Sequence, residues 1–244
     1  MKIIAHRGFS SQAPENTMAA FEWALHFGVD GLEFDVHLTR DGVPVICHDE
    51  AVDRTTNGQG LVKDYTYEEL TRLDAGSWYG PEFRGERIPA LMELLERVRQ
   101  TDLLINIELK TNIFTYPGIE EQVTGMLRDL AMVDQCLISS FNHYTLVRTL
   151  TIMPQLRIGA LYETDLYQPW RYAKTFNANA LHPGHHSINP AMVAAAHEAG
   201  LMVNPWTVDQ PEAIRRVSAA GADALITNCP DVAKSVLQQT GVII

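Results

Sequence analysis

Two carboxylates stand two residues apart in the apolar segment GLEFDVH, residues 31–37. Side chains alternate faces along a strand, so Glu33, Asp35 and His37 share one face and Leu32, Phe34 and Val36 the other. Paired carboxylates on one face repel each other unless a cation lies between them or both face water. Asp41 and Gly42, a hairpin dipeptide, separate this segment from a second apolar run at 43–48. With those two as the loop, Arg40 pairs with Val43 and Asp35 falls opposite His48, so Glu33, Asp35 and His48 converge. A third run, 103–109, places Asn106, Glu108 and the following Lys110 on one face. Glu33, Asp35 and Glu108 are three hard oxygen donors, a set suited to Mg²⁺, Ca²⁺ or Mn²⁺ rather than zinc. The first strand ends in His6, Arg7 and Gly8; Arg7 is a planar donor suited to phosphate, and Gly8 lets the backbone turn close to a ligand. Taken singly, each motif reads as a solvated edge or an ion pair. Their joint placement at strand ends points to a site.

The elements that must position these groups alternate along the whole chain. Strands are expected at 2–6, 31–37, 43–48, 103–109, 136–140, 157–161, 179–182, 202–207 and 224–227. Helical patterns fill most gaps. Asn16 or Thr17 caps one with Met18, Phe21, Ala24 and Leu25 on its apolar face. Pro89, Pro190 and Pro211 open three others, and Gly200 and Gly221 close the last two. With the hairpin strand set aside, eight βα units remain, which predicts a (β/α)₈ TIM barrel over 1–244 as a single domain. A doubly wound sheet is the second choice, but no GxGxxG follows a strand. The polar, Gly-rich segment at about 49–88 is too long for a plain βα loop and reads as an insertion near the barrel mouth. His182, His185 and His186 read as loop polarity, with substrate contact as the second reading. Trp78 and Tyr79 read as a packed loop anchor.

The chain has 244 residues, 46 % hydrophobic and 20 % charged, which excludes disorder and coiled coil. Its formal charge of −11 argues against a nucleic-acid or anionic-membrane partner. Any bound anion must therefore meet local positive charge. Cys47, Cys136 and Cys229 lack metal or disulfide spacing and read as free thiols. With no run long enough to span a bilayer, the expectation is a cytoplasmic protein.

The ordered motifs are more specific than any one of them. His6-Arg7-Gly8, Pro14-Glu15-Asn16-Thr17, Glu33-Phe34-Asp35-Val36, Pro44 through His48-Asp49, Arg54-Thr55-Thr56-Asn57-Gly58, Asp74 through Trp78, Ile107-Glu108-Leu109-Lys110, Ser140-Phe141 and Trp206-Thr207-Val208 occur in this order. The whole chain resembles the glycerophosphodiester phosphodiesterase family in its bacterial cytosolic form. The resemblance implies a TIM barrel with the insertion at 49–88. It also implies catalytic histidines at His6 and His48, and metal ligands at Glu33, Asp35 and Glu108. Phosphate contacts then fall on Arg7 and Lys110, and substrate-side aromatic positions on Phe141 and Trp206. The implied reaction is metal-dependent hydrolysis of a small glycerophosphodiester, such as glycerophosphocholine or glycerophosphoethanolamine, to sn-glycerol 3-phosphate and an alcohol. Three other classes stay open: a lipid-directed phosphodiesterase of the same superfamily, a non-catalytic glycerophosphodiester-binding barrel, and a sugar-phosphate isomerase or aldolase barrel, which would want a phosphate-binding Gly run where strand eight ends Thr227-Asn228-Cys229-Pro230. Two positions depart from the family pattern. Thr227 is followed by Asn228 where relatives often have Asp, and Val208 by Asp209 where relatives often have Asn.

Overall fold

A computed structural model describes residues 1–241. The strands are β1 (Lys2–His6), β2 (Gly31–Leu38), β3 (Pro44–Ile46), β4 (Leu104–Leu109), β5 (Cys136–Ser140), β6 (Arg157–Tyr162), β7 (Ala180–Pro183), β8 (Met202–Val203) and β9 (Ala224–Thr227). All but β3 run parallel in the order β8-β7-β6-β5-β4-β2-β1-β9. Backbone bonds bring the two ends together: Asp223 N donates to Val203 O at 3.0 Å and Ile226 N to Pro205 O at 2.9 Å. The result is the expected (β/α)₈ barrel.

Helices α1 (Met18–Phe27), α2 (Tyr67–Leu70), α3 (Leu91–Val98), α4 (Ile119–Asp129), α5 (His143–Ile152), α6 (Pro169–Lys174), α7 (Pro190–Glu198), α8 (Pro211–Ala219) and α9 (Pro230–Gln239) complete the chain. Thr17 rather than Asn16 caps α1, its side chain accepting from Ala20 N. The α7 and α8 prolines occupy the first turn, where a missing N–H costs nothing. The strand faces divide as alternation requires. Leu32, Phe34, Val36, Ile105 and Ile107 pack outward against the helices, in one core with Phe21, Leu94 and Leu95. Ile4, Ala224 and Ile226 pack together as a smaller cluster with Leu104 and Trp206. Among the described residues, no helix is long and apolar enough to cross a membrane.

Two expectations change. The run 202–207 yields only the two-residue β8, because Pro205 brings no N–H to a ladder. Pairing toward β7 nonetheless continues through Asn204 N to Leu181 O and Trp206 N to Pro183 O. The hairpin register also differs by one. Val36 lies opposite Ile46, His37 opposite Val45 and Leu38 opposite Pro44. The loop therefore holds three residues, Arg40, Asp41 and Gly42, not two. The Thr39 hydroxyl donates to Asp41 Oδ1 at 2.6 Å and accepts from Val43 N at 2.8 Å, while Gly42 adopts φ +79°. This is the three-residue hairpin with glycine in the left-handed position. Asp35 thus faces Cys47, whose N donates to Asp35 O, and not His48.

The 49–88 segment carries α2 and two short 3₁₀ turns, Val62–Asp64 and Pro81–Phe83. It has its own apolar cluster of Val52, Val62, Leu70, Ala75 and Ile88, closed against Val45 and Cys47. The Trp78 indole donates to Ala75 O, but the ring is 41 % exposed and not the packed anchor expected of it.

Candidate active site

Register brings the three acids together. In the parallel ladder His6 pairs with Glu33, Glu33 with Asn106, and Asp35 with Glu108. Neighbouring side chains in such a ladder point the same way, so the carboxylates of Glu33, Asp35 and Glu108 share one patch. One ligand oxygen from each lies within 4.8 Å of the others. All are buried, at 4 %, 1 % and 7 % exposure.

Burial and the Asp35 and Glu108 charges raise the Glu33 carboxyl well above the usual carboxylate range. Burial and Asp35 push Glu108 up to about 7 against the pull of Lys110. Asp35 alone stays strongly acidic, because Arg7, Lys110 and His48 outweigh its burial. Arg7 Nε lies 3.4 Å from Asp35 Oδ2; Lys110 Nζ lies 3.6 Å from Asp35 Oδ1 and 3.0 Å from Glu108 Oε1.

Three buried acids thus face two basic side chains, and Arg7 is shared with Glu15, whose carboxylate accepts from its Nη1 at 2.8 Å. Glu108 Oε1 is buried without a hydrogen bond of good geometry. This donor set fits a hard divalent cation: it is all oxygen and short of positive charge.

Asn16 supports the cluster from the α1 entry. Its backbone sits at φ +59°, its N donates to Arg7 O at 3.0 Å, and its Nδ2 donates to Asp35 Oδ2 at 2.9 Å. The turn that aims Arg7 depends on Gly8. It takes φ +79°, and a Cβ there would lie 2.7 Å from the Ala20 backbone.

Each histidine is anchored through Nδ1. His6 Nδ1 lies 2.7 Å from Asn228 Oδ1, and its Nε2 lies 3.8 Å from Glu33 Oε2. Burial and then Arg7 lower the His6 pKa to about 4, so the ring is neutral at pH 7. His48 Nδ1 lies 2.6 Å from Asp49 Oδ1. Arg54 holds that carboxylate from behind, Nε to Oδ2 at 2.7 Å and Nη2 to Oδ1 at 3.0 Å. Asp49 is drawn down to about 2, as bonds from Arg54 and His48 outweigh its burial. Arg54 also donates to both Glu15 oxygens, at 2.9 and 2.7 Å. A continuous chain therefore runs His48–Asp49–Arg54–Glu15–Arg7.

His37, placed with Glu33 and Asp35 by alternation, lies outside the carboxylate cluster. It is fully buried between the Tyr116 hydroxyl at 2.9 Å on Nδ1 and the His48 carbonyl at 3.2 Å on Nε2. Burial lowers its pKa to about 4. The neutral ring donates from Nε2 to His48 O and so fixes the backbone of that residue. Because β3 ends at Ile46, His48 reaches the site from the bend after the strand and not from a strand pair.

His6, Arg7, Glu33, His48, Asn106 and Glu108 line one cavity together with the apolar Phe141, Leu161, Trp206 and Ile226. Phe141 and Trp206 meet edge to face with centroids 5.4 Å apart, and the Trp206 indole donates to His182 O at 2.8 Å. Asp35 and Lys110 join this wall through Arg7 and Glu108. The nine site residues expected from the sequence thus form one connected cluster. Asn16, His37, Asp49 and Asn228 touch them, and Arg54 and Asp209 stand one contact further out; the sequence does not mark these six as site residues. The pairing Asn228 with His6 spans 222 positions and leaves no local pattern. His182 is a buried barrel residue, 1 % exposed, while His185 pairs with Arg216 at the surface.

Fold and site define a (β/α)₈-barrel protein with three buried carboxylates, Glu33, Asp35 and Glu108, gathered at strand ends. Comparison with known proteins narrows this. Residues 6–232 match the model of the glycerophosphoryl diester phosphodiesterase family. The chain is 46 % identical over 239 residues to a glycerophosphodiester phosphodiesterase of Caldanaerobacter subterraneus subsp. tengcongensis, covering 98 % of both chains. It is 43 % identical over 241 residues to one from Bacillus altitudinis, again covering 98 % of both. Among solved structures, an Oleispira antarctica phosphodiesterase in complex with the product sn-glycerol-3-phosphate superposes with a TM-score of 0.87 at 32 % identity, covering 98 % of this chain and 97 % of that one. The chain belongs to the glycerophosphoryl diester phosphodiesterase family.

Proposed function

We propose that this barrel hydrolyses small glycerophosphodiesters to sn-glycerol 3-phosphate and an alcohol. The observation that carries the reading is the single cavity holding two imidazoles, Arg7, Glu33 and Glu108 beside the Phe141–Trp206 wall. Glu33, Asp35 and Glu108 would hold a divalent cation, which would supply positive charge to the phosphoryl oxygens. Arg7 and Lys110 add positive charge where the diester anion sits and where charge grows in the transition state. The histidines divide the proton work: one takes a proton on Nε2 from the attacking oxygen nucleophile, and the other, protonated on both ring nitrogens in the reacting complex, gives its Nε2 proton to the leaving alkoxide. Asp49 keeps the His48 proton on Nδ1 and leaves Nε2 for the cavity. The aromatic pair faces the organic part of the substrate. An acidic chain with three free thiols suits a reducing cytoplasm.

The test is glycerol 3-phosphate release from glycerophosphocholine by the wild type, His6→Ala and His48→Ala. General acid–base help is typically worth about 10²–10⁴-fold, so each variant should lose that much in kcat while staying folded. Wild-type turnover by either variant refutes the two-histidine reading.

A further inference from the structure

We propose that Asp209 and Asn228 form a proton-orienting relay that positions His6, with the direction of every hydrogen bond set by Asp209. The inference rests on the reading of His6 as an acid–base group. Asp209 Oδ1 accepts from Thr227 Oγ1 at 2.9 Å and from Asn228 N at 2.8 Å, and its Oδ2 accepts from Asn228 Nδ2 at 2.7 Å. A carboxylate accepts and does not donate, so the Asn228 amide has one orientation: Nδ2 toward Asp209, Oδ1 toward His6. That oxygen lies 2.7 Å from His6 Nδ1 and 2.7 Å from the Ser10 hydroxyl. An amide oxygen only accepts, so His6 carries its proton on Nδ1 and presents a bare Nε2 to the cavity. His6 and His48 thus show the cavity the same ring edge by different means, His48 through a carboxylate and His6 through an amide backed by a carboxylate. The two departures from the family pattern are the two ends of this one contact. One acid and one amide thus meet at this contact.

Exchanging the two residues makes a sharp test. In Asp209→Asn, the oxygen that bonds Thr227 and the Asn228 backbone is kept and the amide nitrogen falls opposite Asn228 Nδ2. Two donors meet, the Asn228 amide turns over, and its Nδ2 then faces His6 Nδ1 and drives the ring proton to Nε2. In Asn228→Asp, two carboxylates meet and the orienting bond is lost. In the double variant D209N/N228D the contact is rebuilt in reverse: an amide at position 209 donates to a carboxylate at position 228, which accepts from His6. Each single variant should lose at least about 10-fold in kcat for glycerophosphocholine with KM within about 3-fold, since a misplaced imidazole proton affects the transition state more than binding. The double variant should return to within about 3-fold of the wild-type kcat.

A second readout needs no turnover. In ¹⁵N spectra of metal-free wild type at pH 7.5, the His6 ring, assigned by its loss in His6→Gln, should be the Nδ1–H tautomer, shifting to Nε2–H in D209N. A wild-type Nε2–H tautomer, or a double variant no better than the product of the singles, overturns the relay. A wild type that releases no glycerol 3-phosphate while His6 shows the Nδ1–H tautomer sinks the proposed reaction and leaves the relay standing.

Discussion

Replacing Asp49 by Asn tests how the site orients His48. The Asp49 carboxylate receives the His48 Nδ1 proton at 2.6 Å and two bonds from Arg54 at 2.7 and 3.0 Å. A hydrogen bond to a charged group is worth about 1.5–3 kcal/mol, and most of that is felt when the ring becomes cationic during proton transfer. At about 1.4 kcal/mol per decade, this alone lowers kcat by about 10–150-fold. The geometry adds a second effect. Arg54 is anchored on both oxygens of Glu15 and keeps its donors aimed at residue 49. An asparagine there turns its oxygen toward Arg54 and its Nδ2 toward His48. The ring then carries its proton on Nε2, the wrong edge for accepting one from substrate. Tautomer inversion of this kind costs about 10⁴-fold in a serine-protease triad, so the expected loss lies between about 10² and 10⁴. Asp49 does not line the cavity, so KM for glycerophosphocholine should stay within about 3-fold. Initial-rate assays at saturating divalent ion separate the two constants. A kcat within about 3-fold of wild type would show that Asp49 does not orient His48 during turnover.

Three further outcomes follow from the same geometry. Asn16→Gly keeps the left-handed backbone but deletes the donor to Asp35, so the divalent concentration for half-maximal activity should rise about 10–100-fold with kcat at saturation unchanged; an unaltered metal titration contradicts the role. His182 has its pKa lowered to about 3 by burial, so between that value and about 6.5 the unfolded chain holds a proton that the folded one does not. Its contribution to stability is full above pH 6.5 and falls as pH drops, by about 2 kcal/mol from pH 7 to 5. Urea unfolding of His182→Gln should show a pH dependence flatter by that amount, and parallel profiles would refute it. Gly159→Ala would place a Cβ 2.6 Å from His182 Nε2 inside the barrel, costing about 1–3 kcal/mol and lowering the melting temperature; an unshifted melt would mean that the ring moves freely.

The readable parts of this site were those set by short periods. Alternation in 31–37 put Glu33 and Asp35 on one face, and the same rule applied to 103–109 put Glu108 beside them, because parallel neighbours in register share a side. The hairpin was read one residue out. The strongest signal, Asp41 and Gly42, says where the turn lies, whereas its length was decided by the Thr39 hydroxyl bonding Val43 N across the loop. His48 joined the site despite the slip, because the chain leaves the sheet at Ile46 and the bend that follows aims it. The supporting groups were hidden for a different reason. Asn16 reads as a cap, and Asp209 and Asn228 read only as departures from the family pattern, until barrel closure brings β9 beside β1 and sets Asn228 against His6. Contacts that exist only once a ring of strands has closed carry no periodic signature.

The most direct test of the proposed chemistry is glycerol 3-phosphate release from glycerophosphocholine by the purified chain, first with EDTA and then with Mg²⁺, Ca²⁺ or Mn²⁺ restored, for the wild type and Glu108→Gln. The expected result is no release with EDTA, recovery with at least one ion, and little recovery in the variant, which lacks one of the three buried carboxylates. Turnover that ignores EDTA, or no release with any of the ions from folded wild-type protein, would contradict it.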